Sequence, residues 1–168
     1  MRKILLTGGV KSGKSRLALT LAQEFIGKKT FIATAEAFDE GMKASIARHR
    51  EERDKFFFLI EEPVRLAKAI QTAESSAGVI VIDCLTVLVN NLFYHLKEDE
   101  LAMKEEQKLF LDAIQRAKTN IIVVTNEVGS GIFPENALAR KFMVELGILN
   151  QKTAHVCDEV AFMVSGIP

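Results

Sequence analysis

Gly8-Gly9-Val10-Lys11-Ser12-Gly13-Lys14-Ser15 lies near the start of the chain, directly after the apolar run Ile4-Leu5-Leu6-Thr7. This octapeptide fits the pattern G-x-x-x-x-G-K-[ST] of a phosphate-binding loop. In such a loop the backbone N–H groups surround an anion, Lys14 can reach the β- and γ-phosphates, and the Ser15 hydroxyl can hold Mg²⁺. An amphipathic segment follows and predicts a helix whose positive N-terminal end faces the same anion. The spacing therefore favours a triphosphate site over an ordinary glycine turn.

Length and charge narrow the classes of protein that remain. We expect residues 1–168 to form one domain. Lys plus Arg and Asp plus Glu number 22 each, so no global basic field is available to gather nucleic acid. No apolar stretch approaches the roughly 20 residues of a membrane span, and the N-terminus does not resemble a signal peptide, so we expect a cytoplasmic protein. Cys84 and Cys157 lie in apolar contexts, which favours reduced, buried thiols.

Short β-rich runs alternate with longer helical patterns along the chain. This alternation predicts an α/β fold, a mostly parallel sheet with helices on both faces. Helices are predicted over Asp39–Lys55 and over Glu135–Leu146, with Pro134 at a first helical position. Phe56-Phe57-Phe58 most simply predicts a buried strand, and it is also a candidate subunit interface. The predicted strands are Lys3–Thr7, Thr30–Thr34, Phe56–Ile60, Val79–Asp83, Ile121–Thr125 and Val160–Val164.

Polar residues follow the predicted strands at the sheet edge where ligands of α/β proteins collect. Asp83 ends the predicted strand Val79–Asp83. In P-loop proteins a carboxylate at the end of such a strand holds Mg²⁺ beside the serine of the phosphate loop. A helix cap is the alternative for a lone Asp in this place, and the phosphate loop favours the metal. The other strand ends carry Ala35-Glu36, Glu61-Glu62 and Asn126–Gly131, where Gly129 and Gly131 allow close approach to a ligand.

One histidine has neighbours suited to phosphate chemistry. On the predicted helix over Asp39–Lys55, His49, Arg50 and Arg53 share a face with Ile46. Neighbouring positive charge lowers the pKa of a histidine and keeps it neutral, and a neutral imidazole can attack an α-phosphorus and expel pyrophosphate. A solvated histidine in a charged helix fits the same spacing. His95 and His155 have no such companions in the sequence, and we interpret both as structural.

The chain resembles the bifunctional adenosylcobinamide kinase / adenosylcobinamide-phosphate guanylyltransferase family of cobalamin biosynthesis. The likeness spans nearly the whole chain and is far more specific than the phosphate loop alone. The motifs that carry it are Leu6–Ser15, Ile32–Ala35, Asp39-Glu40, Ile46–His49 with Arg53, Glu61–Pro63, Asp83–Thr86, Asn91-Leu92, Val124–Gly131, Pro134–Asn136, Arg140, Gly147, Asn150-Gln151, Asp158–Val160 and Ser165–Pro168.

This resemblance implies a RecA-like P-loop NTPase fold, a homotrimer and two activities. One activity phosphorylates adenosylcobinamide with ATP or another nucleoside triphosphate. The other transfers GMP from GTP to a histidine and then to adenosylcobinamide phosphate, giving adenosylcobinamide-GDP.

The resemblance also assigns residues by position. His49 corresponds to the guanylylated histidine. Together with the phosphate-loop pattern, this predicts that Lys14, Ser15 and Asp83 position the triphosphate and Mg²⁺ while His49 attacks the α-phosphorus. Nucleotide contacts are implied for Gly8, Gly9, Val10, Lys11, Ser12, Gly13, Lys14, Ser15, Thr34, Ala35, Glu36, Arg50, Glu51, Glu52, Arg53, Glu61 and Asp83.

Two other functions fit parts of the sequence. A monofunctional P-loop small-molecule kinase would use the phosphate loop and leave His49 as a bystander. A RecA-like nucleic-acid-dependent ATPase is suggested by the fold alone. Neutral net charge and the lack of a basic stripe with stacking aromatic residues oppose it.

Overall fold

The computed structural model describes residues 1–36 and 56–168. The predicted helix over Asp39–Lys55 lies outside these residues. Six strands and five helices are present in the described part of the chain. In chain order they are β1 (Lys3–Gly8), α1 (Lys14–Gln23), β2 (Lys28–Ala33), β3 (Phe57–Glu61), α2 (Leu66–Glu74), β4 (Ala77–Asp83), α3 (Leu85–His95), α4 (Glu100–Arg116), β5 (Asn120–Val124), α5 (Ala137–Val156) and β6 (Glu159–Met163).

The six strands form one sheet in the order β3-β2-β4-β5-β1-β6. Every pair of neighbouring strands is parallel, so all six carboxyl ends lie along one edge. The predicted α/β class and the six predicted strands are confirmed, with strand ends displaced by at most two residues. Strand β1, which leads into the phosphate loop, lies between β5 and β6, and β5 separates it from β4.

Strand β4 shows why the sheet is covered on both faces. Ile80 and Ile82 belong to one apolar core, whereas Val79 and Val81 belong to another, and all four side chains are fully buried. Alternate residues of a strand point to opposite faces, so this unbroken apolar run requires helices on each side. Helix α1 covers one face, and α2 to α5 pack on the other.

The prediction that Phe56-Phe57-Phe58 forms a buried strand was wrong for two of the three rings. Strand β3 is the edge strand of the sheet, and Phe56 and Phe58 are 67% and 53% exposed. Phe57 alone packs inward, edge-to-face against Phe31 with ring centroids 6.2 Å apart. Lys28 Nζ lies 4.2 Å from the centroid of the Phe58 ring, so a cation covers part of that exposed surface.

The helix predicted over Glu135–Leu146 begins later and ends later than expected. It runs from Ala137 to Val156, and Asn136 caps it by accepting a 2.9 Å hydrogen bond from Ala139 N. Pro134 therefore lies before the cap rather than at the first helical position. The helix continues past Leu146 because Leu149 and Thr153 extend its buried face.

None of the helices in the described ranges is long and apolar enough to cross a membrane.

We expect Gly78→Ala to destabilise the fold by about 1–3 kcal/mol, because the added carbon overpacks a tight contact. A Cβ on Gly78 would lie 2.1 Å from the Ile26 carbonyl oxygen, at the start of strand β4. The matched control is Gly147→Ala inside α5, where a Cβ meets nothing within 4 Å. That change should stabilise the protein by about 0.5–1 kcal/mol. Urea unfolding of both variants measures the effects, and a G78A midpoint equal to that of the unsubstituted protein contradicts this packing.

Candidate active site

Two glycines of the phosphate loop occupy conformations that other residues rarely adopt. Gly8 ends β1 with φ 142°, and a Cβ there would lie 2.4 Å from the Met163 carbonyl oxygen. Gly13 has φ 94° and is the N-cap of α1. The loop therefore needs glycine at these two positions for backbone geometry and close approach. The N-terminus of α1 begins at Lys14 and points its free N–H groups toward the loop.

Lys14 folds back over the loop. Its side chain is almost fully buried, and Nζ donates hydrogen bonds to Gly8 O at 3.0 Å, Gly9 O at 2.6 Å and Ser12 Oγ at 3.2 Å. Burial lowers the pKa of Lys14, and electrostatic interactions with Cys84 and Asp83 oppose this shift. Carbonyl oxygens carry only partial charge, so a triphosphate would be a stronger partner for this ammonium group.

Asp83 ends β4 on the same sheet edge as the loop. Helix α1 packs against β4 and β5, so its first turn, with Ser15, faces the edge to which Asp83 belongs. Among the described residues no group of three or more His, Cys, Asp or Glu could hold a metal. A hydroxyl, one carboxylate and substrate phosphate oxygens are nevertheless a donor set that suits Mg²⁺, which keeps several waters and binds few protein ligands.

Thr34 joins β2 to the end of β4. Its backbone N–H donates to Asp83 O at 3.2 Å, and its hydroxyl donates to Cys84 O at 2.9 Å while accepting from Cys84 N at 2.8 Å. The peptide between Asp83 and Cys84 is cis. Asn91 Nδ2 in turn donates to Thr34 O at 2.7 Å and to Pro63 O at 3.0 Å. Thr34 and Asp83, both expected at the site from sequence, are thus held side by side.

Ala35 and Glu36 follow Thr34, and Glu36 has a partner that sequence reasoning missed. His95 Nε2 lies 2.6 Å from Glu36 Oε2, and both side chains are about one-third exposed. The interpretation of His95 as a residue without companions was therefore incomplete. The two residues lie 59 positions apart in the chain, so no local pattern could have paired them.

The two glutamates at the carboxyl end of β3, Glu61 and Glu62, have different positions. Glu61 pairs in register with Ala33, which places it at the carboxyl edge beside Thr34. Glu62 Oε1 accepts from Val64 N at 3.0 Å and Arg65 N at 2.8 Å, so this side chain caps the turn into α2. Glu61 therefore lies at the sheet edge where a ligand would bind, whereas Glu62 is used within the turn.

Polar side chains around Glu127 form a cluster beside the phosphate loop. The sequence predicted that the loop after β5 contacts a ligand, but it did not predict this cluster. Glu127 N donates to Gly8 O at 3.0 Å, and Glu127 Oε1 accepts from Thr7 Oγ1 at 3.2 Å and from Asn150 Nδ2 at 2.8 Å. Asn150 also accepts from Thr125 Oγ1 at 2.7 Å and donates to Asn126 O at 3.0 Å. The one sequence signal was the polar pair that directly follows the strand.

Both cysteines are free, as expected, but both residues are half-buried rather than buried. Burial raises the pKa of the Cys84 thiol to about 11, and the Asp83 carboxylate adds to the shift. Burial likewise raises the pKa of Cys157 to about 12, with a smaller contribution from Asp158. Thiolates are the reactive form, so neither sulfur is a nucleophile at neutral pH.

The expected residues His49, Arg50, Glu51, Glu52 and Arg53 lie outside the described residues. Inside them the structure brings Lys14, Ser15, Thr34, Glu61 and Asp83 to one sheet edge.

A parallel sheet with a glycine-bounded phosphate loop between β1 and α1, and a carboxylate at the end of β4, defines a nucleotide-using protein of the P-loop NTPase class. Two solved structures support the fold. The RadB recombinase aligns with a TM-score of 0.56 at 17% identity over 96% of this chain and 73% of that one. An ATPase of a bacterial type III secretion system aligns with a TM-score of 0.57 at 13% identity over 97% of this chain and 51% of that one. The RecA-like fold is thereby confirmed.

The sequence pattern of the family described as cobinamide kinase / cobinamide phosphate guanyltransferase matches residues 4–168. The bifunctional adenosylcobalamin biosynthesis protein CobP of Pseudomonas aeruginosa is 38% identical over 100% of this chain and 95% of its own length. The protein CobU of Escherichia coli, of the same description, is 35% identical over 98% of this chain and 96% of its own. The chain belongs to this family and is an enzyme, a bifunctional kinase and guanylyltransferase of cobalamin biosynthesis. The resemblance inferred from its motifs is confirmed.

Proposed function

We propose that the chain phosphorylates adenosylcobinamide with ATP or GTP and then transfers GMP from GTP to adenosylcobinamide phosphate. The products of the second reaction are adenosylcobinamide-GDP and pyrophosphate. The observation that carries this proposal is the buried Lys14 ammonium, held against Gly8 and Gly9 at the sheet edge where Asp83 ends β4. Phosphoryl and nucleotidyl transfer both need positive charge placed where the phosphates will lie.

The phosphate loop would hold the triphosphate in both reactions. Backbone N–H groups of Gly8–Ser15 would surround the phosphates, and Lys14 would move from the loop carbonyls to the β- and γ-phosphates. Ser15 and Asp83 would hold Mg²⁺, which supplies charge neutralisation between the phosphates. Thr34, Ala35, Glu36 and Glu61 line the adjoining part of the sheet edge and would contact the nucleoside.

The guanylyl transfer would pass through His49. Its neutral imidazole nitrogen forms a bond to the α-phosphorus of GTP, the bond from that phosphorus to the bridging oxygen breaks, and pyrophosphate leaves with the electron pair. A phosphate oxygen of adenosylcobinamide phosphate then displaces the imidazole and receives GMP. Arg50 and Arg53 would neutralise charge on the phosphates, with Glu51 and Glu52 beside them on the nucleotide.

We further propose one domain over residues 1–168, a cytoplasmic location and a homotrimer. Exposed apolar side chains on the free edge of the sheet support association with other copies. They are Val160 and Phe162 on the edge strand β6, 52% and 53% exposed. Such a patch is typical of a protein–protein contact.

The purified protein should convert adenosylcobinamide to its phosphate with ATP or GTP. It should convert adenosylcobinamide phosphate to adenosylcobinamide-GDP with GTP and release one pyrophosphate per turnover. Each corrinoid is assayed separately with each nucleotide by chromatography and mass spectrometry. Phosphorylation without any GMP transfer would contradict the proposal and support the monofunctional kinase. DNA-stimulated hydrolysis without corrinoid turnover would support the nucleic-acid-dependent ATPase.

A further inference from the structure

We propose that the Glu127 carboxylate is the base that accepts the proton of the acceptor hydroxyl in the kinase reaction. This assignment rests on the proposed function, because it needs a hydroxyl substrate and a triphosphate bound at the phosphate loop. It gives a catalytic role to a residue that the sequence predicted only as a polar member of the loop after β5.

The backbone places Glu127 directly against the triphosphate cradle. The Gly8 carbonyl oxygen accepts from Glu127 N at 3.0 Å and from Lys14 Nζ at 3.0 Å. The two nitrogens therefore lie no more than about 6 Å apart, since both bond to one oxygen. Lys14 is the residue that reaches the β- and γ-phosphates in such loops, so Glu127 borders the place where the γ-phosphoryl group would be transferred.

The strand order explains why this residue is there. Strand β5 lies between β1, which leads into the loop, and β4, which ends at Asp83. The first residues after β5 therefore emerge between the phosphate-binding and metal-binding positions. Glu127 is the acidic residue of that segment.

The side chain is held in one orientation. Oε1 accepts from Asn150 Nδ2 at 2.8 Å and from Thr7 Oγ1 at 3.2 Å, and Asn150 is only 7% exposed. Asn150 is itself held by the Thr125 hydroxyl at 2.7 Å and the Asn126 carbonyl at 3.0 Å. Within residues 1–36 and 56–168 no hydrogen-bond donor contacts Oε2 and no Lys or Arg pairs with this carboxylate. One oxygen anchors the group, and the other is available to a substrate because the residue is only half-buried.

The other acidic residues of the edge have different positions or partners. Glu36 pairs with His95, and Glu62 caps the turn into α2. Glu61 ends β3, four strands away from β1 in the sheet order. Asp83 would hold the metal ion. Among these candidates Glu127 is the one whose backbone is hydrogen-bonded to the phosphate loop.

The acceptor hydroxyl oxygen forms a bond to the γ-phosphorus, and its proton passes to Glu127 Oε2. The bond between the γ-phosphorus and the bridging oxygen breaks, and the electron pair leaves with the nucleoside diphosphate. The carboxylic acid then loses its proton to solvent, to which the half-buried residue has access.

The test is Glu127→Gln, which keeps an oxygen that can accept from Thr7 and Asn150 but removes the base. We expect the kinase kcat to fall about 100-fold or more, the range for loss of a general base, with the thermal midpoint and the Kd of a fluorescent triphosphate little changed. Glu145→Gln, at a half-buried glutamate of α5, is the matched control and should retain the kinase rate.

A purely structural role predicts a different pattern. Glu127 would then only clamp α5 to β1, and Asn150→Ala, which removes the same clamp, should resemble E127Q in thermal midpoint and kinase rate. E127Q with a kinase rate within about threefold of the unsubstituted enzyme, or with rate, triphosphate Kd and midpoint all falling together as in N150A, overturns the assignment. An unsubstituted protein that binds triphosphate but phosphorylates no corrinoid would instead overturn the proposed function, and this assignment with it.

Discussion

His49→Ala should reduce the covalent GMP adduct formed from GTP to background. The imidazole supplies the nitrogen that bonds to the α-phosphorus, and alanine has no nucleophile to replace it. The adduct is measured with GTP labelled at the α-phosphorus and by the GMP-sized gain in intact mass. Formation of adenosylcobinamide-GDP should be lost with it, whereas phosphorylation of adenosylcobinamide should fall far less, since that step does not pass through the histidine.

His155→Ala is the matched control for this experiment. His155 is exposed near the end of α5, far along the chain from the expected site, and its loss should leave the adduct intact. Adduct that persists in H49A at the level of the unsubstituted protein would rule out this nucleophile. The second histidine to test would then be His95, which contacts Glu36 at the sheet edge.

Lys14→Met should lower kcat/KM for both transfer reactions by about 10²–10³-fold, the effect of removing one strong electrostatic contact to the developing charge. The reason lies in the geometry of the loop, where the ammonium is buried and within 3.2 Å of three loop oxygens before any phosphate binds. Methionine keeps the length of the side chain and removes the charge. Initial rates with ATP and GTP measure the loss for each reaction.

Lys108→Met provides the comparison, because Lys108 is an exposed lysine of α4 away from the loop. Its rates should match those of the unsubstituted protein. A K14M enzyme with undiminished kcat/KM would mean that the triphosphate does not bind at this loop. Both transfer reactions would then have to take place at another site.

Predictions from single segments were the ones that agreed best with the structure. The phosphate loop is eight consecutive residues, and the positive φ angles of Gly8 and Gly13 show that its pattern encodes backbone geometry directly. The strand Val79–Asp83 was recognisable because it is buried on both faces and so carries no alternation. Asp83 followed from the same run, as the first polar residue after it.

Predictions that depended on the surroundings of a segment were less accurate. Phe56-Phe57-Phe58 predicts a buried strand, yet it lies at the sheet edge, where Phe57 is the one ring of the three that packs against another described aromatic ring. The helix predicted from Glu135 begins instead at Ala137, because the Asn136 side chain supplies the cap. In both cases the sequence predicted the correct type of element. The position of β3 in the sheet decided which rings are buried, and the Asn136 side chain decided where the helix begins.

Local sequence was sufficient for the P-loop class and for the family, because both depend on short motifs whose geometry is set within the motif. The pairing of Glu36 with His95 and the clamp that Asn150 and Thr7 place on Glu127 required the folded chain. These partners lie 59, 23 and 120 positions apart. Contacts over such separations are set by the strand order β4-β5-β1 and by the path of α5 back along the sheet, and no periodicity in the sequence encodes them.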